Sequence, residues 1–471
     1  MTTPAPNPPA QLSPAGDRRP ADETFQDADL LRSIEGAGTG FRVTSTLLLL
    51  VILGGWVIFG RQLLYGLGVT GLNQPVGWGF YIVNFVFFIG ISHAGTLISA
   101  ILRLSKAEWR RPITRMAAGI TVIVLAIGGL HPVLDLGRPD RMLNIFSSGR
   151  LQSPLLWDVT SISAYFMAST VYLYIPMIPD IALLRDRGVK PHWLYTFLAW
   201  GWQGTAQQRK VLDRAVGIMM VLVIPIAVSV HTVISYIFAM TLQPGWHSTI
   251  FGPYFVVGAI FSGIAALLIV MIVLRRVFRL ERYLKLVHFD YLSRLLLVMS
   301  LLWFYFTFSE YLTAFFGNEP SEMRVFFYKL SGPYAPFYWG MVVANFVVPV
   351  LILSFRRTRT IPGILVASIT VVIGMWLERL NIVVPSLANP RLPYPTGFYI
   401  PSLVEWAMLA GGIASLVLGF VLFARFFPLI SLWEIEEGRK ESVHETSERL
   451  RSYLPDPLPV TSVGSRGGGE P

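Results

Sequence analysis

The sequence predicts an all-α integral membrane protein with about ten transmembrane helices. Three observations predict it. Of 471 residues, 53% are hydrophobic and 14% charged, with a mean hydropathy of +0.56; a soluble domain carries about 25% charged residues. Apolar runs long enough to cross a bilayer recur along nearly the whole chain. The basic residues between those runs gather in every second loop.

Each crossing needs about 20 mostly apolar residues. The chain supplies ten such runs, near 44–66, 78–104, 116–136, 154–176, 211–241, 252–275, 291–316, 336–355, 361–384 and 400–424. The fifth run is long enough to tilt or to end in water. The net charge of +10 is not a nucleic-acid footprint, because its members sit in short loops. Lys106, Arg110, Arg111 and Arg115 follow span two. Arg185, Arg187, Lys190, Arg209 and Lys210 follow span four, Arg275 to Lys285 follow span six, and Arg356, Arg357 and Arg359 follow span eight. The opposite loops are poorer in charge. The positive-inside rule then expects a multi-pass protein of the bacterial inner membrane with both termini cytoplasmic.

The first residues are Pro/Ala-rich and no removable signal peptide is expected. The last ~45 residues read as a solvent-exposed tail. Absence of Cys excludes Cys-ligated Fe–S clusters, covalently attached c-type haem and disulfides within this chain. No spacing of residues suggests a metal site. The segment ERYLKLVHFDYLSR (281–294) is amphipathic and basic, and is expected to lie at the inner surface.

Spans two and six both begin aromatic at the outer face, carry small residues and end basic. A four-helix period gives a parallel repeat. The expected organisation is an N-terminal tail (1–43), a first span and outer loop (44–77), one four-helix bundle of spans two to five (78–242) and a second of spans six to nine (243–399). A tenth span (400–424) and a C-terminal tail (425–471) complete it. The alternative is that any two inward-running spans look alike.

The rise of about 1.5 Å per residue converts position into depth. His131, Asp158, His231, Glu310, the Glu378–Arg379 pair and Glu405 then fall in the outer third, on six helices. Each costs several kcal/mol in hydrocarbon unless paired or hydrated. Structural ion pairing, such as Glu378 with a neighbouring Arg379 or Glu405 at an interface, is the plain reading for any one of them. Six at one level point to a shared polar cavity opening outward.

The densest stretch is LHPVLDLGRPDRMLNIF (130–146). His131 and Asp135 are four apart and share a helix face if the helix continues past Pro132. LGRPDR ends the helix, and SPLLWDVTSISAY (153–165) starts the next, with Asp158 in its first turns. This hairpin is expected to gather His131, Asp135, Arg138 and Asp158. A His and carboxylates beside an apolar slot can accept protons and hydrogen-bond a quinol's hydroxyls. Deeper lies His93, among Ala94, Gly95, Ser99 and Ala100. It reads either as a packing histidine bonded to a neighbour or as a proton-relay step with Asn84, Ser92 and Thr96.

The blocks FYIVNFVFFIGISHAGTLISAILRL, LDLGRPDRM, SPLLWDVTSISAY, SEYLTAFFGNE (309–319) and MWLERLNIVVPSL (375–387) resemble the NrfD family, the quinone-interacting membrane subunits of which the polysulfide reductase anchor is one. They sit nearest the ActC branch of alternative complex III; the paralogous ActF branch fits ISHAGTLIS and MWLERL less well. The resemblance implies two four-helix bundles with two flanking helices. It implies a menaquinol or ubiquinol pocket near the outer face and an Fe–S subunit docked outside. Multihaem cytochrome subunits, a paralogous NrfD-like membrane subunit and lipids complete the implied surroundings. Neither haem nor Fe–S is then bound by this chain itself. By resemblance the pocket residues are His131, Asp135, Arg138 and Asp158, with Glu310, Glu378 and Arg379 next; depth and spacing add His93, His231 and Glu405 as further pocket or proton-route residues. Two other readings stay open: a secondary transporter or proton pump, and a di-haem electron carrier with His131 and His231 as axial ligands.

Overall fold

The computed structural model describes residues 34, 36, 38–93, 95, 98–105, 107–392 and 397–438. The expectations for residues 1–33 and 439–471 lie outside the described residues, as does the proposed role of Thr96. Among the described residues, nine helices are long and apolar enough to cross a membrane. They are α1 (Thr39–Tyr65), α4 (Thr114–Asp135), α5 (Pro154–Tyr174, continued by a bend into α6, Ile178–Asp186), α8 (Ala206–Ala239), α9 (Phe251–Val277), α10 (Leu286–Gly317), α12 and α13 (Ala335–Val342 and Val348–Leu353, one run), α14 (Ile361–Leu387) and α15 (Leu403–Phe426). The tenth crossing is broken into α2 (Phe80–His93) and α3 (Ser99–Leu104). Two shorter helices, α7 (His192–Leu198) and α11 (Pro320–Leu330), lie outside these runs.

Alternation of direction sorts the connections onto two faces. The loops after α1, α4, α8, α10 and α14 share one, called here the distal face. The Arg425 guanidinium donates to the Ile34 carbonyl, so both ends of the described chain meet at the other, the tail face. Spans two to five pack in a ring of four, and so do spans six to nine; α9 and α14 of the second ring pack on α2 of the first. Helix α15 lies against α4, with α1 outside it. At that crossing Gly55 approaches the Ala407 carbonyl and the Cα of Gly411, a small-residue contact that lets two apolar helices pack closely without a hydrophobic driving force. The rest of α1 is largely exposed, as a lipid-facing helix should be.

The break in span two has a packing cause. A Cβ on Gly95 would lie 1.7 Å from the Ala117 carbonyl oxygen and 2.1 Å from Thr121 Oγ1. Gly95 and Ile98 adopt wide, π-helical turns, and the Ser92 carbonyl accepts from Thr121 Oγ1 at 2.6 Å and Tyr165 Oη at 3.3 Å. Wide turns of this kind recur where helices carry function. Because the obstacle is backbone, Gly95→Ala must push α4 away. Overpacking of this sort costs about 1–3 kcal/mol or more, so Gly95→Ala is expected to lower the thermal aggregation midpoint of the detergent-solubilised chain sharply; an unchanged midpoint contradicts the close approach.

Two expectations are corrected. The amphipathic stretch 281–294 is not a separate surface helix: from Leu286 onward it forms the first turns of α10. The C-terminal segment does not leave the bundle at 425 either. Leu429, Ile430 and Leu432 are buried, and Asp180 accepts from Arg115 at 2.5 Å and from the backbone N–H of Leu432 and Trp433. Glu434 pairs with Arg103 and Arg110, and its carbonyl accepts from Arg111. The loop arginines that carry the orientation signal thus also clamp residues 427–438 beneath the first bundle.

Candidate functional site

The distal end of the first bundle holds the sharpest chemistry. His131 stands one turn before the end of α4 and is 2% exposed. Its Nδ1 lies 2.9 Å from the Ile127 carbonyl. A carbonyl only accepts, so in the neutral ring the proton is on Nδ1 and Nε2 carries the lone pair. That Nε2 is buried and has no hydrogen-bond partner among the described residues. The ring packs on Phe88, centroids 5.1 Å apart, and Gly412 makes room for it: a Cβ there would be 3.3 Å from His131 Cε1.

Asp135 follows four residues later on the same face, and Asp158 stands in the second turn of α5, behind Pro154 at the helix start. Each has a buried Oδ1 without a hydrogen-bond partner. Three basic or acidic groups with unmet hydrogen-bonding capacity near one end of one bundle are unusual, since buried polar atoms are nearly always paired. Among the described residues no hydrogen bond joins the three to one another. Helices α4 and α5 pack together, which puts Asp158 on the helix next to that of His131 and Asp135.

Arg138 does not join them. Helix α4 ends at Asp135, Gly137 turns the chain with φ +65°, and Arg138 emerges in the loop with its side chain 64% exposed. Its Nε and Nη2 grip Asp140 at 3.0 and 2.8 Å. The sequence expectation that the hairpin gathers Arg138 with the other three is corrected accordingly.

Glu405 also has a different task. Its Oε2 accepts from the backbone N–H of Gly71 at 2.7 Å and of Ser402 at 2.8 Å, and its Oε1 accepts from the Tyr399 hydroxyl. With Ser402 it forms a capping box for α15. The Tyr399 oxygen in turn accepts from Phe80 N at 3.0 Å; burial, with the Glu405 carboxylate beside it, holds the Tyr399 phenol well above its ordinary value. Glu405 is thereby tied to the loop after α1 and to the start of α2. The packing reading of this residue holds.

A second polar layer lies deeper, where the two bundles meet. His93 and His231 are both fully buried, with ring centroids 3.7 Å apart. His93 Nε2 is 2.7 Å from the Ala227 carbonyl and Nδ1 is 3.1 Å from that of Ile89. Both nitrogens of His231 lack hydrogen-bond partners. Arg379, 1% exposed, pairs with Glu378 at 2.9 Å and lies over the Phe255 ring at 4.8 Å. Trp303 Nε1 donates to the other Glu378 oxygen at 2.6 Å. Glycines clear the space: Cβ atoms at Gly258 and Gly90 would come within 3.0 and 3.7 Å of Arg379 Nη2. The guanidinium of the second bundle therefore reaches α2 of the first.

The single outer layer expected from sequence thus divides in two. His131, Asp135, Asp158 and Glu405 are distal, while His231 shares the level of His93, eight residues below the end of α8. His131 packs on Phe88, whereas His231 lies against His93. Glu310 belongs to the second bundle, where its Oε2 accepts from Ser248 Oγ at 2.6 Å. Among the described residues no group of three or more His, Cys, Asp or Glu is placed to share a metal ion.

Sequence reasoning missed several members. Tyr81 donates to Gln62 Oε1 at 2.5 Å, and Gln62 Nε2 donates to the Leu134 carbonyl at 2.8 Å, linking spans one, two and three beside Asp135. Gln62 was findable as a lone amide in an apolar run. Trp303, Tyr254 and Tyr81 were not, because aromatic residues in spans usually mean packing or an interface.

The fold and these buried ionisable layers define a multi-pass membrane subunit of the polar-core type. The comparison with known proteins makes the class specific. The family model described as polysulphide reductase, NrfD, matches residues 68–390, and the chain belongs to that family. A dimethyl sulfoxide reductase membrane subunit from Halobacterium salinarum is 29% identical over 54% of this chain and 56% of its own length. An Hdr-like menaquinol oxidoreductase integral membrane subunit from Archaeoglobus fulgidus is 24% identical over 80% of this chain and 90% of its own. A selenate reductase subunit from Mesobacillus selenatarsenatis is 23% identical, with 85% and 96% covered. The chain spans about half the length of the first of these relatives and nine tenths or more of the other two.

Proposed function

We propose that this chain is the quinol-binding membrane subunit of an electron-transfer complex, with the quinol headgroup received at the distal end of the first bundle. The observation that carries the reading is the buried, unpartnered Nε2 of His131, an acceptor facing no donor. A quinol hydroxyl is the donor such an atom lacks. Asp158 and Asp135 supply further unpartnered oxygens on the neighbouring helix and on the same face. The relative named as a menaquinol oxidoreductase subunit supports a quinone as the substrate class.

Oxidation of a quinol to a quinone releases two electrons and two protons. His131 Nε2 takes one proton and an ionised Asp158 the other. His131 is oriented for this by its Nδ1–H bond to the Ile127 carbonyl, which fixes the tautomer, and by Phe88 packed at a tilt against it. Asp135, at the end of α4, leads from the site toward the loop. The electrons leave to an Fe–S cluster of a partner subunit docked on the distal face. The loop charges support reading that face as the outer one, and on that reading the protons are released outward.

The central layer extends this reading to proton translocation. His93, His231, Arg379 and Glu378 are buried close together at the bundle interface; no hydrogen bond joins the two imidazoles among the described residues, so a proton passing between them would need a bridging water or a ring rotation. In the setting of alternative complex III, multihaem cytochromes and a second NrfD-like membrane subunit would flank the chain. The test is quinol-driven electron transfer through the assembled complex carrying His131→Ala or Asp158→Asn; near-normal turnover in both removes the site.

A further inference from the structure

The second bundle contains a cavity of mixed polar and apolar lining that the quinol reading does not use. It is enclosed by α9, α10, α11 and α14, and Tyr254, Thr307, Glu310, Lys329, Glu378 and Asn381 line it. Its volume is about 60 Å³. A water needs about 10–15 Å³ on this measure, whereas an engineered cavity that takes benzene is about 150 Å³. The space holds a few waters and no quinone ring.

Its lining asks for water. Asn381 is 3% exposed, and its amide nitrogen donates to the Leu377 carbonyl at 2.9 Å. Its Oδ1 is buried with no hydrogen-bond partner and borders the cavity. Dry cavities are apolar; a polar one with two to four partners in reach of each water is filled. Thr307 Oγ1 lies 3.2 Å from Tyr254 Oη on the same wall.

The distal end is covered by α11. Val325 packs beneath it and Glu322 Oε2 accepts from Gly245 N at 2.7 Å. Gly245 has φ +78°, and a Cβ there would be 3.0 Å from Val325 Cγ1, so helix and loop interlock. Lys329, 7% exposed, projects from this cover toward Glu310 and Glu322. Burial lowers its ammonium to about 8 against the opposite pull of those two acids. Glu310 and Glu322 are themselves only half-buried and form the mouth.

We propose that this cavity is a water-filled vestibule that carries the distal aqueous phase under α11 to the Glu378 carboxyl, about 14 Å below the distal end of α14. The Glu378–Arg379 pair is then wet on its distal side and dry on the side that faces His231. The vestibule stands on its own lining and does not depend on where quinol binds.

The chain has no Cys, so single-cysteine variants read the vestibule cleanly. The probe is Ag⁺, a thiol-reactive ion about the size of water, applied to the assembled protein; thiols left unreacted are counted with a maleimide after denaturation. Asn381→Cys and Ala314→Cys line the cavity. They are expected to react within about tenfold of the exposed Arg324→Cys. Asn345→Cys, equally buried in the same bundle but away from the cavity, is expected to react at least a hundredfold more slowly. Ala314→Trp added to Asn381→Cys should slow its reaction tenfold or more. Lining positions as inert as Asn345→Cys overturn the proposal. Should Asn381→Cys fail to assemble, Met341→Cys, also on the lining, takes its place beside Ala314→Cys and decides the matter in the same way.

Discussion

His131→Ala is expected to lower quinol-driven electron transfer about 100-fold or more, while the complex still assembles. General acid–base groups contribute typically 10²–10⁴-fold, and His131 offers a ring nitrogen whose tautomer is set by its other nitrogen. Removing the ring leaves a gap beside Phe88 and Gly412, which costs stability but breaks no hydrogen bond between helices. Asp158→Asn keeps the shape and removes only the ability to take a proton. Its turnover should fall by a comparable factor with little change in binding of the quinol, because an amide still meets a hydroxyl. A variant pair in which assembly is intact and turnover near normal would take both residues out of the chemistry. Arg138→Ala, by contrast, should leave the intrinsic rate nearly unchanged, since its guanidinium is exposed and paired within its own loop.

Breaking the Glu378–Arg379 pair should have the largest effect on stability. Both side chains are 1% exposed. Arg379→Leu leaves the Glu378 carboxylate buried without its counter-charge, though still bonded by the Trp303 N–H, and removing one partner of a buried pair costs about 3–5 kcal/mol. The double change Glu378→Leu with Arg379→Leu removes both charges and should recover more than half of that loss, since apolar replacements of buried pairs are often neutral. Thermal unfolding of the purified variants measures this. Recovery in stability without recovery of any coupled proton movement would separate the structural role of the pair from its place in the central layer. If the single variant is as stable as the parent, the pair is not desolvated as described.

The spans were legible because each is a window of about 20 apolar residues, a signal that survives without knowledge of partners. Helix ends therefore fell within a few residues of those expected. Depth was legible less well. His231 was counted upward from the start of an apolar run at 211, yet its helix begins at Ala206 and ends at Ala239, and tilt breaks the proportion between residue count and height. Rotation about each axis was not legible at all. His131 and Asp135 share a face by spacing alone, but nothing in the chain said that His131 on that face packs on Phe88 and Gly412. Arg138 was misplaced because one glycine with positive φ turns the chain out of the helix. Residues 427–438 looked like the start of a polar tail because their partners, Arg103, Arg110, Arg111, Arg115 and Asp180, lie hundreds of positions earlier.

The most direct measurement is a density map of the assembled complex with a bound quinone or quinol-site inhibitor. The account predicts the headgroup at the distal end of the first bundle, with an oxygen within about 2.6–3.2 Å of His131 Nε2 or an Asp158 carboxyl oxygen, or one water away. A headgroup seated in the second bundle, or on a surface that neither side chain can reach, would contradict it.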